Sequence, residues 1–229
     1  MAGSPIILAI DGPLSGSCEA AARLPLQLDD IVSGAKVGVP FLLRCGVGSL
    51  AAMRSSYGGL IVADLKLADV GDVMLSTVSA VKDFVDAVIA HSFIGYSGAL
   101  DELSEGLRGW GLKLVLVASM SHPGSQEVYD GSLGQLLKVI SKARPWGVVA
   151  PATRPNVISA VRAALGSEVK VLSPGVGAQG ARPGDALCAG ADYEIVGRSI
   201  TSGPDPRAAA EEVARQQAEA LRVCRRGMA

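Results

Sequence analysis

Three charged residues interrupt an otherwise apolar stretch of the chain, VADLKLADVGD. Asp64 and Lys66 are two positions apart, so on a β-strand they project to the same side, and Asp69 falls in the loop that follows. A lysine between carboxylates keeps its proton, because nearby negative charge favours the ammonium form. The segment therefore indicates a proton donor or an electrostatic clamp, whereas a Schiff-base lysine needs an apolar or cationic setting. A structural ion cluster explains this short motif equally well.

A second segment, SPGVGAQGARPGD from Ser173 to Asp185, is rich in glycine, and IVGRS follows it at Ile195 to Ser199. Unblocked backbone N–H groups in such a loop can share the oxygens of a phosphate with a guanidinium group. Arg198 is therefore the expected phosphate ligand. A surface loop with an exposed arginine is the alternative for either segment alone, but the occurrence of both together favours a phosphate site.

Eight short aliphatic runs supply the elements that would hold these residues. Their near-continuous apolar content is typical of parallel strands that are covered on both faces. The predicted strands are Pro5 to Asp11, Gly34 to Pro40, Gly59 to Lys66, Asp86 to Ser92, Leu112 to Ser119, Trp146 to Pro151, Val169 to Gly175 and Tyr193 to Ser199.

Segments with helical periodicity separate most of these strands. The predicted helices are Ser49 to Tyr57, Val73 to Asp83, Gly98 to Gly109, Ser125 to Ala143, Asn156 to Leu165 and Pro206 to Arg225. Eight strand–helix units in 229 residues predict an α/β protein, a single (β/α)₈ TIM barrel that forms one domain over residues 1–229. An open doubly wound sheet is the alternative, but DGPLSGS after the first strand lacks the GxGxxG pattern of dinucleotide-binding folds.

The barrel prediction specifies where chemistry should gather, because active sites of such barrels lie at the carboxyl ends of the strands. Polar residues occur at these positions on seven of the eight predicted strands. They are Asp11, Lys36, Asp64, Lys66, His91, Ser119, Ser121, the segment Pro174 to Gln179, Gly197 and Arg198. This convergence predicts one site on one rim of the barrel.

Composition and charge exclude several classes of function. The net charge is −1 and the basic residues are scattered, so no surface for nucleic acid is predicted. No apolar run reaches the roughly 18 residues of a membrane span. We therefore expect a soluble, cytoplasmic protein that binds neither nucleic acid nor membrane.

The cysteines and histidines suggest no metal or redox centre. The four cysteines show no CxxC pairing and no signal-peptide pattern precedes them, so we expect reduced thiols, with Cys45 and Cys188 packed as small apolar side chains. His91 and His122 are the only histidines, too few for a histidine-rich metal centre. Neither histidine is assigned to catalysis.

Several motifs, in order along the chain, resemble those of the archaeal-type orotidine 5′-monophosphate decarboxylase family. They are ILAID from Leu8, AKVGVP, DLKLAD, MSHPG, SPGVGAQG and VGRSI, which ends at Ile200, so the resemblance covers most of the chain. The resemblance implies a (β/α)₈ homodimer with two active sites at the subunit interface. It also implies loss of carbon dioxide from orotidine 5′-monophosphate to give uridine 5′-monophosphate, without a metal or organic cofactor.

The resemblance further implies a role for each charged residue of the central array. Lys66 would protonate C6 of the pyrimidine as the carboxylate leaves, and Asp64 would lie beside that carboxylate. Lys36 would bridge Asp64 and the ribose, and Asp11 would bind a ribose hydroxyl. Asp69 would reach into the active site of the other subunit.

The remaining roles implied by the resemblance concern the pyrimidine and the phosphate. Ser121 would donate a hydrogen bond to the pyrimidine, and the segment from Pro174 through Val176 to Gly180 would form a closing loop. Gln179 and Arg198 would hold the phosphate, with the backbone N–H of Gly197 as a further donor.

The chain departs from the family pattern at one interface position. Val73 stands where the family usually has a threonine that contacts the ribose across the interface, and Thr77 is a weak replacement candidate. Val70 and Gly71 stand where an Ile-Pro pair is common, a change that should loosen this loop. The cross-subunit ribose contact is therefore an open question.

Two other functions stay open on the sequence. The Mg²⁺-dependent sugar-phosphate decarboxylases and hexulose-phosphate synthases share a DxKxxD-type motif, but they carry a metal-binding glutamate where this chain has Lys36. An ammonium group beside Asp64 would oppose a metal ion. A non-catalytic nucleotide-binding barrel is the second alternative, and the complete set of charged residues argues against it.

Overall fold

Eight parallel strands close into a barrel, each hydrogen-bonded to the next along the chain and the last to the first. The computed structural model describes residues 4–226. The strands are β1 Ser4–Ile10, β2 Val32–Gly38, β3 Leu60–Leu67, β4 Ala87–His91, β5 Lys113–Val117, β6 Gly147–Val149, β7 Lys170–Pro174 and β8 Tyr193–Val196. The predicted (β/α)₈ barrel and all eight predicted strands are confirmed.

Helices follow the strands on the outside of the barrel. They are α1 Cys18–Gln27, α2 Val39–Ser56, α3 Gly71–Ser79, α4 Asp101–Gly109, α5 Leu133–Ala143, α6 Pro155–Leu165, α7 Asp185–Cys188, α8 Arg198–Thr201 and α9 Pro206–Arg226. Short helical turns at Lys82–Phe84, Tyr96–Leu100 and Gln126–Asp130 complete the connections. Each of the six predicted helices corresponds to an observed one. The predicted domain range 1–229 includes residues 1–3 and 227–229, which lie outside the described residues.

The prediction missed α1, the first part of α2 and the four-residue helices α7 and α8. In α1 and α2, a proline or glycine masks the helical periodicity. Helix α1 contains Pro25, which sequence patterns take as a helix breaker. Helix α2 begins directly after Gly38 with Pro40 in its first turn, where no backbone N–H is required, so the predicted second strand was too long at this end. Gly46 then interrupts α2 with a φ of 74°.

The strands bury both of their faces, which explains their nearly continuous aliphatic sequences. Alternate residues such as Ile7, Val62 and Leu172 fill the barrel interior. Their neighbours, such as Ile6 and Ala63, pack outward against the helices. Charged side chains at the interior positions are therefore conspicuous, because the fold alone would place aliphatic groups there.

Two disulfide bonds contradict the prediction of four reduced thiols and of Cys45 and Cys188 as small apolar packing groups. Cys18 and Cys45 join α1 to α2, with their Cα atoms 5.4 Å apart. Cys188 and Cys224 join α7 to α9, with their Cα atoms 6.0 Å apart. The partners are 27 and 36 residues apart along the chain, so only the side-by-side packing of these helices brings them together.

No helix within residues 4–226 combines the length and the apolar character that crossing a bilayer would require.

The disulfide between α1 and α2 should contribute measurably to stability. Cys18→Ser combined with Cys45→Ser should lower the free energy of unfolding by about 2–4 kcal/mol, because the cross-link restricts the unfolded chain. Denaturant unfolding without reductant measures this difference. Thiol titration of the denatured proteins is the control, and four reactive thiols in the wild-type protein would contradict the pairing.

Candidate active site

A cavity of about 370 Å³ opens at the carboxyl ends of the strands. Its lining includes the predicted site residues Asp11, Lys36, Asp64, Lys66, Ser121, Pro174, Val176, Gln179, Gly197 and Arg198. These residues come from opposite sides of the barrel, and only closure of the sheet brings them around one space. Asp69, His91, Ser119 and Gly180, which were also predicted at this rim or in its closing loop, are not among the lining residues.

Four of the lining residues form a continuous chain of alternating charges. The Nζ atom of Lys36 lies 2.9 Å from Oδ1 of Asp11 and 3.1 Å from Oδ2 of Asp64. The Nζ atom of Lys66 lies 2.7 Å from the same oxygen of Asp64. The side chains of Lys36 and Asp64 are each 8% exposed, whereas Lys66 is 41% exposed. The array thus has a buried centre and an ammonium group that faces the cavity.

The buried centre of this array keeps its charges. Burial alone would lower the pKa of Lys36, but the carboxylates of Asp64 and Asp11 outweigh it and hold this pKa above its ordinary value. Burial would likewise raise the pKa of Asp64, but Lys36 and Lys66 hold it below its ordinary value. Both groups are therefore ionised at neutral pH, and each depends on the other for that state.

Adjacent strands position the four charges. Lys36 lies on β2, Asp64 lies on β3 opposite Gly38, and Asp11 directly follows β1. Gly38 leaves the space that the Asp11 side chain occupies, because a Cβ atom at position 38 would lie 2.3 Å from its Oδ1. Any larger residue at position 38 would therefore displace Asp11 from Lys36.

The backbone of Lys66 has an unusual conformation at the end of β3. Its φ is 44°, in the left-handed region that non-glycine residues rarely adopt. The β3–β4 pairing shifts register between Ala63 and Leu67, so Lys66 lies in an irregular part of the strand. Such a conformation costs about 1–3 kcal/mol and persists only where the surroundings enforce it, often at functional sites. Here it accompanies the ion pair between Lys66 and Asp64.

The opposite rim of the cavity consists of the loop after β7 and the start of α8. Gly177 has a φ of 71°, and a Cβ atom there would lie 2.0 Å from Oγ of Ser199. The loop therefore packs tightly against the residue next to Arg198. Gln179 and Arg198 both line the cavity from this rim, where they provide an amide and a guanidinium group for an anion.

A buried polar network fixes the loop that carries Ser121. The guanidinium of Arg154 donates to Oδ2 of Asp130 at 2.8 Å, to Oγ of Ser119 at 3.0 Å and to the carbonyl oxygen of Met120. Oγ of Ser119 in turn donates to Oδ1 of Asp130 at 2.7 Å. Neither Arg154 nor Asp130 was among the predicted site residues. No spacing signal links two residues that lie 24 positions apart.

His91 ends β4 beside an aromatic pair and not in the cavity lining. Its Nδ1 lies 2.5 Å from the hydroxyl of Tyr129. Burial and the charge of Lys66 hold the pKa of His91 below its ordinary value, and burial raises the pKa of Tyr129 to about 12. A neutral imidazole that accepts from a neutral phenol explains these two side chains. Within residues 4–226, no group of three or more histidine, cysteine or acidic side chains could hold a metal ion.

Asp69 does not line the cavity of its own chain. It is exposed, and its Oδ1 accepts a hydrogen bond from the backbone N–H of Val70. Val70 and Val73 are also exposed at the start of α3, at 53% and 45%. Aspartate and two exposed valines thus lie together beside the rim that holds Asp64 and Lys66.

Comparisons with known proteins point to one family. Residues 4–213 match the model of the orotidine 5′-phosphate decarboxylase / HUMPS family. The chain is 49% identical to orotidine 5′-phosphate decarboxylase of Aeropyrum pernix over 212 residues, which cover 91% of this chain and 86% of that protein. It is 40% identical to the enzyme of the same name from Sulfurisphaera tokodaii over 200 residues, which cover 87% of this chain and 92% of that protein.

Solved structures show the same barrel. Orotidine 5′-monophosphate decarboxylase from Sulfolobus solfataricus matches with a TM-score of 0.87 at 36% identity, over 95% of this chain and 99% of that chain. The enzyme from Methanocaldococcus jannaschii, complexed with the inhibitor BMP, matches with a TM-score of 0.85 at 26% identity, again over 95% and 99%.

Because Lys36 and Asp64 form a buried ion pair, replacement of Asp64 should destabilise the protein to an extent that depends on pH. Asp64→Asn should lower the free energy of unfolding by about 3 kcal/mol near neutral pH, because it leaves the buried Lys36 without its most buried partner. A carboxyl group whose pKa is lowered by folding contributes stability above its unfolded value of about 4 and loses it as the pH falls through the folded value. The difference between variant and wild type should therefore shrink in acid.

Denaturant unfolding at a series of pH values measures this effect. Asp83→Asn is the matched control, because Asp83 is 70% exposed in its pair with Lys82, and it should change stability by less than about 0.5 kcal/mol. An Asp64→Asn variant as stable as wild type near neutral pH would contradict the proposed electrostatic role of the pair.

Proposed function

The chain belongs to the orotidine 5′-phosphate decarboxylase / HUMPS family, and we propose that Lys66 is the proton donor of its reaction. That reaction is the decarboxylation of orotidine 5′-monophosphate to uridine 5′-monophosphate and carbon dioxide, a step of pyrimidine biosynthesis. The observation that carries the proposal is the ion pair of Lys66 with Asp64, which holds an ammonium group at the surface of the cavity.

The chemistry of the reaction requires such a group. Loss of carbon dioxide without an electron-accepting cofactor leaves an electron pair on C6 of the pyrimidine. A fixed ammonium group stabilises this developing negative charge and then supplies the proton that replaces the carboxylate. Lys66 is suited to both tasks, because Asp64 fixes its position while its exposed fraction leaves it accessible to substrate.

The neighbouring charges of the array have supporting roles in this proposal. Asp64 lies beside the substrate carboxylate and raises the energy of the bound substrate relative to the transition state. Lys36 joins Asp64 to Asp11, and Lys36 and Asp11 form the side of the cavity where the ribose hydroxyls bind. Because Asp64 contacts both Lys36 and Lys66, the same ion-pair chain binds the ribose and orients the proton donor.

The opposite rim would bind the phosphate, far from the bond that breaks. Arg198 donates from its guanidinium group, Gly197 from its backbone and Gln179 from its amide, while Ser121 contacts the pyrimidine. The segment Pro174 to Gly180, with Val176 against the base, closes over the nucleotide. Binding energy from the phosphate can then stabilise the closed, productive arrangement.

The position of Lys36 argues for a reaction without a metal cofactor. Its ammonium group lies between the carboxylates of Asp11 and Asp64, at 2.9 and 3.1 Å. A Mg²⁺ ion would need those oxygens as ligands and would be repelled by the charge of Lys36. This geometry distinguishes the proposed mechanism from that of the Mg²⁺-dependent sugar-phosphate enzymes.

We also propose that the active unit is a homodimer in which Asp69 completes the partner's site. Asp69 is exposed outside its own cavity, and Val39 and Leu43 on one face of α2 and Val73 on α3 expose apolar side chains that a partner would cover. Each chain would act as one catalytic domain. Val73 would meet the partner's ribose site with a methyl group in place of a hydroxyl.

A cytoplasmic location fits a nucleotide monophosphate substrate. The disulfides would then place the protein among the disulfide-rich intracellular proteins that are known from hyperthermophiles.

Replacement of Lys66 tests its assignment as the acid. Lys66→Ala should reduce turnover of orotidine 5′-monophosphate by about 10³-fold or more, because the other ammonium group of the cavity, that of Lys36, is buried between Asp11 and Asp64. Product-like nucleotide should still bind, since the phosphate rim is unchanged. Loss of pyrimidine absorbance in the presence of a chelator measures turnover.

Lys113→Ala is the control for this experiment, because Lys113 begins β5 at the opposite end of the barrel. It should retain wild-type turnover. Near-normal turnover by Lys66→Ala would show that Lys66 is not the proton donor. Loss of wild-type activity on chelation would support the metal-dependent mechanism.

Subunit mixing tests the shared site. Lys66→Ala and Asp69→Ala homodimers should each be inactive, but a mixed dimer should contain one site with both residues intact. Random exchange should therefore restore about a quarter of wild-type activity, as two-fold symmetry requires. Absence of recovery in verified mixed dimers would show that Asp69 serves its own chain.

A further inference from the structure

We propose that Glu194, a buried carboxylate outside the cavity, is a positioning residue for the phosphate-binding rim. It would hold the loop between β7 and α7 in register with Arg198. This inference rests on the proposed function, since it assigns phosphate binding to Gln179 and Arg198. It concerns how the fold holds Gln179 and Arg198 in place, a role for which no residue was predicted from the sequence.

Glu194 is an exceptional residue at its place in the fold. It lies in the middle of β8 and is fully buried, on the outer face of a strand whose buried positions are otherwise aliphatic. Its neighbours in the adjacent strands are Ile6 on β1 and Ser173 on β7. A carboxylate at such a position is costly unless several hydrogen bonds stabilise it.

Within residues 4–226, Glu194 accepts hydrogen bonds from the end of the phosphate loop, from α7 and from the last helix. The backbone N–H of Gly184 donates to both carboxylate oxygens at 2.9 Å, and that of Ala186 donates to Oε1 at 3.1 Å. Nε2 of Gln217 on α9 donates to Oε2 at 2.9 Å. Glu194 thus connects the start of α7 to β8 and α9.

The start of α7 depends on this carboxylate because it has no local cap. Gly184 is the residue before α7 and offers no side chain for its N–H groups. No side chain fits there, since a Cβ atom would lie 2.3 Å from the Cβ of Ala220. The chain therefore obtains the missing acceptor from Glu194, ten residues later.

The same carboxylate is close to both ends of the loop. Ser173, its cross-strand neighbour, directly precedes Pro174 at the start of the loop, and Gly184 ends the loop five residues after Gln179. Arg198 lies four residues beyond Glu194, two residues after the end of β8, as the first residue of α8. Strand β8 therefore leads directly into one proposed phosphate ligand and, through Glu194, anchors the loop that carries the other.

The free side-chain oxygen of Gln217 indicates which substitution of Glu194 the structure should tolerate. Its Oε1 is buried and has no hydrogen-bond partner within residues 4–226. In a Glu194→Gln variant, rotation of the Gln217 amide would let its Oε1 accept from the new amide NH₂ group. The remaining side-chain oxygen at position 194 would still accept from the backbone N–H groups of Gly184 and Ala186. A Glu194→Leu variant of similar volume would leave these N–H groups without an acceptor.

The test compares two substrates, orotidine 5′-monophosphate and orotidine, which lacks the phosphate. For Glu194→Leu, kcat/KM with the phosphorylated substrate should fall by about 10-fold or more, because a small displacement of binding groups is costly. The value with orotidine should stay near that of wild type. The ratio of the two values should therefore fall, and Glu194→Gln should restore it.

Asp192→Asn is the matched control at the start of the same strand. Asp192 pairs with Arg162 at 2.6 Å and with Lys170, away from the loop, so this variant should lower stability without changing the ratio. If Glu194→Leu does not fold, Gln217→Leu removes one donor to Glu194 and should lower the ratio in the same direction. An unchanged ratio in the folded variant would overturn the inference.

The result for the wild-type protein distinguishes a failure of this inference from a failure of the proposed reaction. Absence of wild-type turnover with orotidine 5′-monophosphate would contradict the reaction and overturn the inference with it. Wild-type turnover together with equal losses for both substrates in Glu194→Leu would overturn only the positioning role. Selective loss with the phosphorylated substrate supports both.

Discussion

The site depends on the buried ion pair between Lys36 and Asp64. A buried charge is tolerated only when its partner is present, and this pair is almost completely removed from water. Asp64 is also the group that fixes Lys66, and Lys36 is the group that fixes Asp11. Loss of one charge would therefore disturb the proton donor and the proposed ribose-binding residue together. The barrel supports this arrangement because adjacent parallel strands place the charges at hydrogen-bonding distance.

The two rims of the cavity are stabilised in different ways. The charged rim is held by ion pairs among its own side chains, whereas the phosphate rim is held from behind by Glu194 and from the side by the close contact of Gly177 with Ser199. In the proposed function the charged rim orients the proton donor, and the loop of the phosphate rim closes over substrate. The left-handed backbone of Lys66 belongs to the charged rim.

The sequence predicted those features that local patterns encode. All eight strands were found because buried parallel strands carry continuous aliphatic runs, and the DLKLAD and SPGVGAQG motifs located both rims. Features that depend on contacts between distant segments were missed. The Cys18–Cys45 disulfide and the Arg154–Asp130 network join residues 27 and 24 positions apart, and Glu194 gave no signal beyond one acidic residue in an aliphatic run. The register shift at Lys66 likewise follows from pairing of β3 with β4.

The central claim is that Lys66 transfers a proton to C6 of the pyrimidine. Hydrogen–deuterium exchange at C6 of the product tests this claim in an experiment that involves no decarboxylation. Uridine 5′-monophosphate incubated with the protein in D₂O should acquire deuterium at C6, since a proton donor must also catalyse the reverse transfer. NMR of the nucleotide measures the rate. Exchange should exceed the uncatalysed rate with the wild-type protein and fall to that rate with Lys66→Ala. Equal exchange by both proteins would contradict the claim.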